Sequence, residues 1–124
     1  MVPNERETWG FSDGLASGNQ FKHFRKKHPR EYVSCFANLE KVRLLLSEGH
    51  TVGQLSLGFL GSEGEGLWRV GQSKVPHAKE TRLYVFAEEE TKTLHILGIG
   101  TKETQTRDIK EAKETIRKAF RKKE

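Results

Sequence analysis

A single cysteine, Cys35, rules out an intramolecular disulfide, so packing and hydrogen bonding must hold this 124-residue chain together. No stretch approaches the ~20 consecutive apolar residues of a membrane-spanning helix. The opening "MVPNERETWG" also lacks the apolar core of a secretory signal. A cytoplasmic protein without membrane contact is the expectation. The five histidines and Cys35 are not spaced as zinc ligands. "GSEGEG" and "GIGTK" each lack the full glycine, Lys and Ser/Thr pattern of a phosphate loop. Neither a metal nor a bound cofactor is therefore expected. Internal repeats and low-complexity segments are missing too, apart from the basic tail "RKAFRKKE".

Charge is what the chain has in quantity. Charged residues make up 31% and hydrophobic residues 34%, enough apolar material for one modest core in a single domain over residues 1–124. The packed core is expected over about residues 17–120, with the N-terminal residues flexible. A net charge of +5 favours polyanionic partners, and its distribution says more than its size. "KHFRKKHPR" carries Lys22, Arg25, Lys26, Lys27 and Arg30 without an acid, whereas Glu88, Glu89 and Glu90 form a short acidic run.

Periodicity predicts the elements. Phe21, Phe24 and His28 fall on one face of a short helix that Pro29 ends. Proline also opens helices well, and from Pro29 the positions Tyr32, Val33, Phe36, Leu39, Val42 and Leu46 keep a 3.6-residue period up to Gly49. "TWGF" suits a short edge strand. Six glycines between Gly49 and Gly66 interleave with "QLSLGFL", where Leu55, Leu57 and Phe59 alternate as in a strand, and part of this segment is expected to be mobile. "LWRVGQ", "TRLYVFA" and "TLHILGIG" read as further strands, the last two joined by a hairpin at "EEETK". In "TRLYVFA" both alternating sets contain apolar residues, so that strand should be central and covered on both faces. Ile109, Ala112, Ile116, Ala119 and Phe120 form a helical stripe, with Thr106 or Asp108 placed to cap it and Glu111 to complete a capping box. The expected class is α+β: an N-terminal helix pair, a twisted antiparallel sheet of three to four strands and a C-terminal amphipathic helix.

"GLWRV", "TRLYVF" and "LHILGIGTKETQT" followed by "DIKEAKETI" resemble, in order and spacing, successive blocks of the RelE/ParE toxin superfamily, in its HigB-like branch. "FKHFRKKHPREYVSCFANLEKV" is similar to the basic helix pair of that family, so the resemblance covers roughly residues 17 to 120. It implies a RelE-like fold and the toxin of a bacterial type II toxin-antitoxin system: a metal-independent, ribosome-dependent mRNA endonuclease silenced by a cognate antitoxin protein. Its partners would be that antitoxin, mRNA and the ribosome. The alternative is a non-catalytic member of the same fold, such as a ParE-like DNA gyrase inhibitor or a degenerate RNA-binding protein.

Cleavage of RNA through its own 2′-hydroxyl requires a base at that hydroxyl, positive charge on the phosphate and an acid at the leaving oxygen. The resemblance puts Arg82 at the position of the family's sheet arginine, which contacts the scissile phosphate, and Lys102 in the segment that supplies a second cation. Arg69 matches a strand that carries basic residues, and His77 lies in the long connection after it. Lys74 and Lys79, in the same connection, join Lys22, Arg25, Lys26, Lys27 and Arg30 as RNA-binding candidates. The family's C-terminal acid or base is absent, since no Tyr or His follows His95, so His77 or His95 would have to substitute. Each position also has an ordinary use: Arg82 in an ion pair within the sheet, Lys102 and His77 as solvated loop groups, His95 as a core histidine, and Phe21 and Phe24 as packing.

Overall fold

A computed structural model describes residues 8–120. Among these residues three helices and five strands follow one another as β1 (Gly10–Ser12), α1 (Gly18–Lys27), α2 (Pro29–Ser47), β2 (Leu60–Gly64), β3 (Leu67–Gly71), β4 (Thr81–Glu88), β5 (Thr93–Thr101) and α3 (Gln105–Phe120). The class is α+β, as expected. The sheet order is β1-β5-β4-β3-β2. None of the described helices is long and apolar enough to cross a membrane.

Two expectations about the sheet need correcting. It has five strands, and it is mixed, because β1 runs parallel to β5 while every other neighbouring pair is antiparallel. The connection from β1 to β5 takes in both helices and three strands, long enough for the chain to come back in the same direction, which a tight hairpin does not permit. The core also starts earlier than residue 17. Trp9 is 3% exposed, its N–H donates to Ser47 Oγ at 2.9 Å, and Arg43 Nη1 donates to the Trp9 carbonyl at 3.1 Å. Residues 1–7, to which the expected N-terminal flexibility also applies, lie outside the described residues, as does the second half of the basic tail, residues 121–124.

The alternation of Leu55, Leu57 and Phe59 does not make a strand. A 3₁₀ turn at Val52–Gln54 precedes them, all three side chains pack against the helix-pair core, and the strand begins only at Leu60. The start of α3 differs as well. A 3₁₀ turn at Lys102–Thr104 leads directly into Gln105, so Asp108 lies within the helix, where it accepts a 2.6 Å bond from Thr104 Oγ1 instead of capping.

Both faces of the sheet are covered, as the two apolar sets in β4 predict. Leu83 and Val85 of β4, with Leu94, Ile96 and Ile99 of β5, pack against Cys35, Leu39, Val42 and Leu46 of α2. On the other face Leu67, Tyr84 and Leu97 meet Ala112 and Ile116 of α3, with Phe86 stacked on Phe120 at 4.6 Å between ring centroids. Fully burying side chains of this size is worth roughly 1.5–3 kcal/mol each. Burial also pushes the Cys35 thiol up to about 12, so it behaves as a small apolar filler.

α3 approaches the sheet closely because Gly100 lies beneath its first turn. A Cβ at Gly100 would collide with the Asp108 carboxylate and the Thr104 hydroxyl. Gly100→Ala is expected to cost about 1–3 kcal/mol, measured by urea denaturation. Gly10→Ala, where a Cβ meets nothing within 4 Å, should cost far less and is the control.

Candidate functional site

The register of β3 on β4 decides where the two strand arginines lie. Arg69 is opposite Tyr84, and Arg82, two residues before Tyr84, is opposite Gly71. Alternation therefore puts both guanidinium groups on the α3 side of the sheet. Together they line a cavity of about 330 Å³ that also takes in Gly71, Gln72, Ala78 and Glu80.

Each arginine meets a carboxylate. Arg69 Nη1 donates to Glu63 Oε2 at 2.6 Å, and Arg82 Nη2 donates to Glu80 Oε2 at 2.6 Å. Gly61, opposite Arg69 on β2, is what gives the Arg69 guanidinium its room: a Cβ there would stand 2.7 Å from the guanidinium carbon. Beside them Tyr84 is fully buried. Its hydroxyl and Arg82 Nε are both buried and have no hydrogen-bond partner among the described residues. Burial, reinforced by the Asp108 charge, pushes the Tyr84 phenol well above its ordinary range, so it stays neutral.

No family model, curated protein or solved structure matches the chain.

A second depression, about 810 Å³, lies between α1 and the junction of β5 with α3. Phe24, Ile99 and Gly100 line its interior, and His23, Lys27, Lys79 and Arg107 also border it. Gln20 Nε2 ties the two sides together by donating to the Ile99 carbonyl at 2.9 Å.

The expected site residues thus divide. Arg69 and Arg82 are brought together in the cavity, and Lys27 and Lys79 in the groove. Lys102 is exposed in the 3₁₀ turn and lines neither, although its N–H donates to the Glu80 carbonyl at 3.1 Å and so fixes it at the same end of the sheet. Lys74 and His77 are exposed in the β3–β4 connection, both at positive φ, and line neither depression. Lys22, Arg25 and Lys26 are exposed on the face of α1 that points away from the groove. Arg30 reaches the Pro76 carbonyl at 3.4 Å.

His95 is held elsewhere. It bonds Glu88 at 2.8 Å and packs against Phe120, and its partner on β4 is Phe86. Four residues of strand separate Phe86 from Arg82, about 13 Å, and His95 lines neither depression. Among the described residues no group of three or more His, Cys, Asp or Glu could hold a metal ion.

Residue-by-residue reading of the sequence missed Glu63 and Glu80. Glu80 had a usable signal, since it stands two residues before Arg82 and so on the same face of an extended chain.

The connection that delivers Lys79 and Glu80 is fastened to α2. Glu31 accepts the Lys79 N–H at 3.1 Å. Burial alone raises the Glu31 carboxyl, but the N–H groups of Glu31 and Lys79, with the nearby His28 and Arg30 charges, outweigh it and hold the carboxyl below its reference value of 4.5. A carboxyl depressed in the folded state stabilises above its unfolded pKa and loses that contribution as pH falls through the folded one. Glu31→Gln should therefore lower stability by about 1–2 kcal/mol at neutral pH. The gap should narrow as pH drops below 4.5, read from urea denaturation across that range. A gap that widens on acidification would contradict the assignment.

Proposed function

We propose that the protein is a RelE/HigB-like toxin of a type II toxin-antitoxin system, an endoribonuclease that cleaves mRNA on the ribosome. The observation that carries this reading is the pairing of Arg69 and Arg82 on one face of the sheet, at the strand positions where the sequence resembles that family. Two planar forks in one depression suit a phosphate, whose oxygens they can take in pairs and whose charge they offset as it grows in the transition state.

Glu80 fills the role that the absent C-terminal residue leaves open. It lines the cavity beside both arginines, and its carboxylate is the proton acceptor for the RNA 2′-hydroxyl. Lys102, tied to Glu80 through the backbone, supplies the second cation, and its ammonium gives a proton to the leaving 5′-oxygen as the phosphorus–oxygen bond breaks. A cognate antitoxin would silence the protein by covering this end of the sheet. The setting is the bacterial cytoplasm, where mRNA and ribosomes are available.

One observation favours the second reading, a non-catalytic member of the same fold that binds DNA gyrase or RNA. Both arginines are already engaged by carboxylates of the chain itself.

A reconstituted translation reaction with mapping of mRNA 5′ ends separates the two readings. The wild type should cut mRNA within the ribosomal A site, and Arg82→Ala should cut at least about 100-fold more slowly. Arg82→Lys, which keeps the charge but loses the fork, should recover only part of the rate. Intact mRNA with the wild type, together with loss of plasmid supercoiling on expression, would overturn the endonuclease in favour of gyrase inhibition.

A further inference from the structure

The larger groove is not explained by phosphate chemistry at the two arginines. It lies on the other side of the start of β4, and it differs in kind: an apolar interior with cations around it. Phe24 and His28 stand 4.8 Å apart between ring centroids on the α1 side. Ile99 and Gly100 of β5 form the facing part. Lys27, Lys79 and Arg107 are exposed at the groove; Lys79 holds Glu103, the carboxylate of its lining, at 2.9 Å, and Arg107 Nε stands 3.8 Å from the buried Asp108 Oδ1, outside the lining. Asn19, Thr101 and Thr104 add uncharged polar groups to the lining.

An apolar slot with an aromatic wall, polar groups within reach and excess positive charge outside it has the chemistry of a nucleotide site. Bases stack on aromatic faces whatever their sequence, while cations follow the backbone. The volume lies within the range of sites that enclose small organic ligands.

We infer that this groove binds one nucleotide of a single-stranded RNA, the base against Phe24 and His28 and the flanking phosphates on Lys27 and Arg107. Continuity with the arginine cavity favours a strand over a free nucleotide. Lys79 lines the groove, and the next three residues, Glu80, Thr81 and Arg82, line the cavity. Gly100, in the groove, is paired with Arg82 across β4 and β5. A strand held by Arg82 has only the start of β4 to cross before its neighbouring nucleotide reaches the slot. The role given to Arg82 in this path rests on the proposed nuclease; the binding of RNA by the groove does not.

Fluorescence anisotropy of the purified protein with a labelled single-stranded RNA of about six nucleotides, titrated at several salt concentrations, tests the inference. Phe24→Leu keeps an apolar side chain at the α1–α2 contact but removes the ring, and should weaken binding about 10-fold with the salt slope unchanged. The double variant Lys27→Gln/Arg107→Gln changes only exposed residues. It should weaken binding by a similar factor and lower the slope of log affinity against log salt by about 1.4, the loss of two single-strand phosphate contacts.

Wild-type affinity in both variants, or a loss confined to Lys22→Gln/Arg25→Gln/Lys26→Gln on the far face of α1, would overturn the groove site. Thermal melts by circular dichroism establish that each variant is folded. RNA bound through the groove by a protein that leaves mRNA uncut would uphold the site and defeat the nuclease. Cleavage undiminished in groove variants that also bind RNA normally would do the reverse.

Discussion

The cationic end of this protein depends on one buried amide. Asn38, 2% exposed in the middle of α2, donates from Nδ2 to the Gly71 carbonyl at 2.8 Å and to Ser73 Oγ at 3.0 Å. An amide buried there without partners would cost about 1–3 kcal/mol, so the chain leaving β3 is drawn back over the helix. Ser34, one turn earlier, accepts the Ser73 N–H and donates to the Ser73 carbonyl. Glu31, a further turn back, takes the Lys79 N–H. This polar stripe runs beside the apolar stripe of Cys35, Leu39, Val42 and Leu46, so α2 holds both the core and the connection above it. Gln72 closes the loop by accepting the Thr81 N–H and donating to the Lys79 carbonyl. Lys79, Glu80 and Arg82 take their positions from these bonds.

The other constraint is a bulge in β5. Val85 pairs with Ile96 but Tyr84 with Gly98, leaving Leu97 as the extra residue. One inserted residue reverses the alternation beyond it. Leu94 and Ile96 face the helix pair before the bulge, and Ile99 faces it after. Gly98 and Gly100 are thereby turned toward α3, opposite Tyr84 and Arg82. Small residues stand opposite the largest ones, and α3 can settle close to the sheet. The same reversal places Ile99 in the groove beside α1, so one irregularity shapes both depressions.

Where local periodicity is strong, the elements could be read directly. Both helices of the N-terminal pair, the amphipathic stripe of α3 and strands β3 to β5 follow from apolar spacing, because each buries one face against a continuous core. β1 has only three residues, and its place comes from Trp9 and from pairing with a strand far along the chain. The alternation of Leu55, Leu57 and Phe59 misled because the same spacing also serves an irregular segment packed over a helix. At the site, Arg69 and Arg82 were legible as strand cations, but their meeting depends on register. The groove was not legible at all, since it joins Gln20 to Ile99 across 79 residues. Nothing local to α1 announces that contact.

The ion pairs at the arginines bear on how a phosphate would enter. A partly exposed pair contributes about 0–1 kcal/mol, whereas hydrogen bonds to charged groups contribute about 1.5–3 kcal/mol each, so exchange of a carboxylate for a phosphate is affordable. The two pairs are unequal. The Glu80 side chain is 56% exposed and can swing into water when it releases Arg82. The Glu63 side chain is 15% exposed, and stripping it of Arg69 would leave a carboxylate largely out of solvent. Arg82, whose Nε is unbonded among the described residues, is therefore the arginine an incoming phosphate would take first. Arg69 would act through its charge while staying on Glu63. Freed from Arg82, Glu80 becomes an unpaired carboxylate at the edge of the same cavity, so the step that admits a phosphate also releases the group proposed to accept a proton.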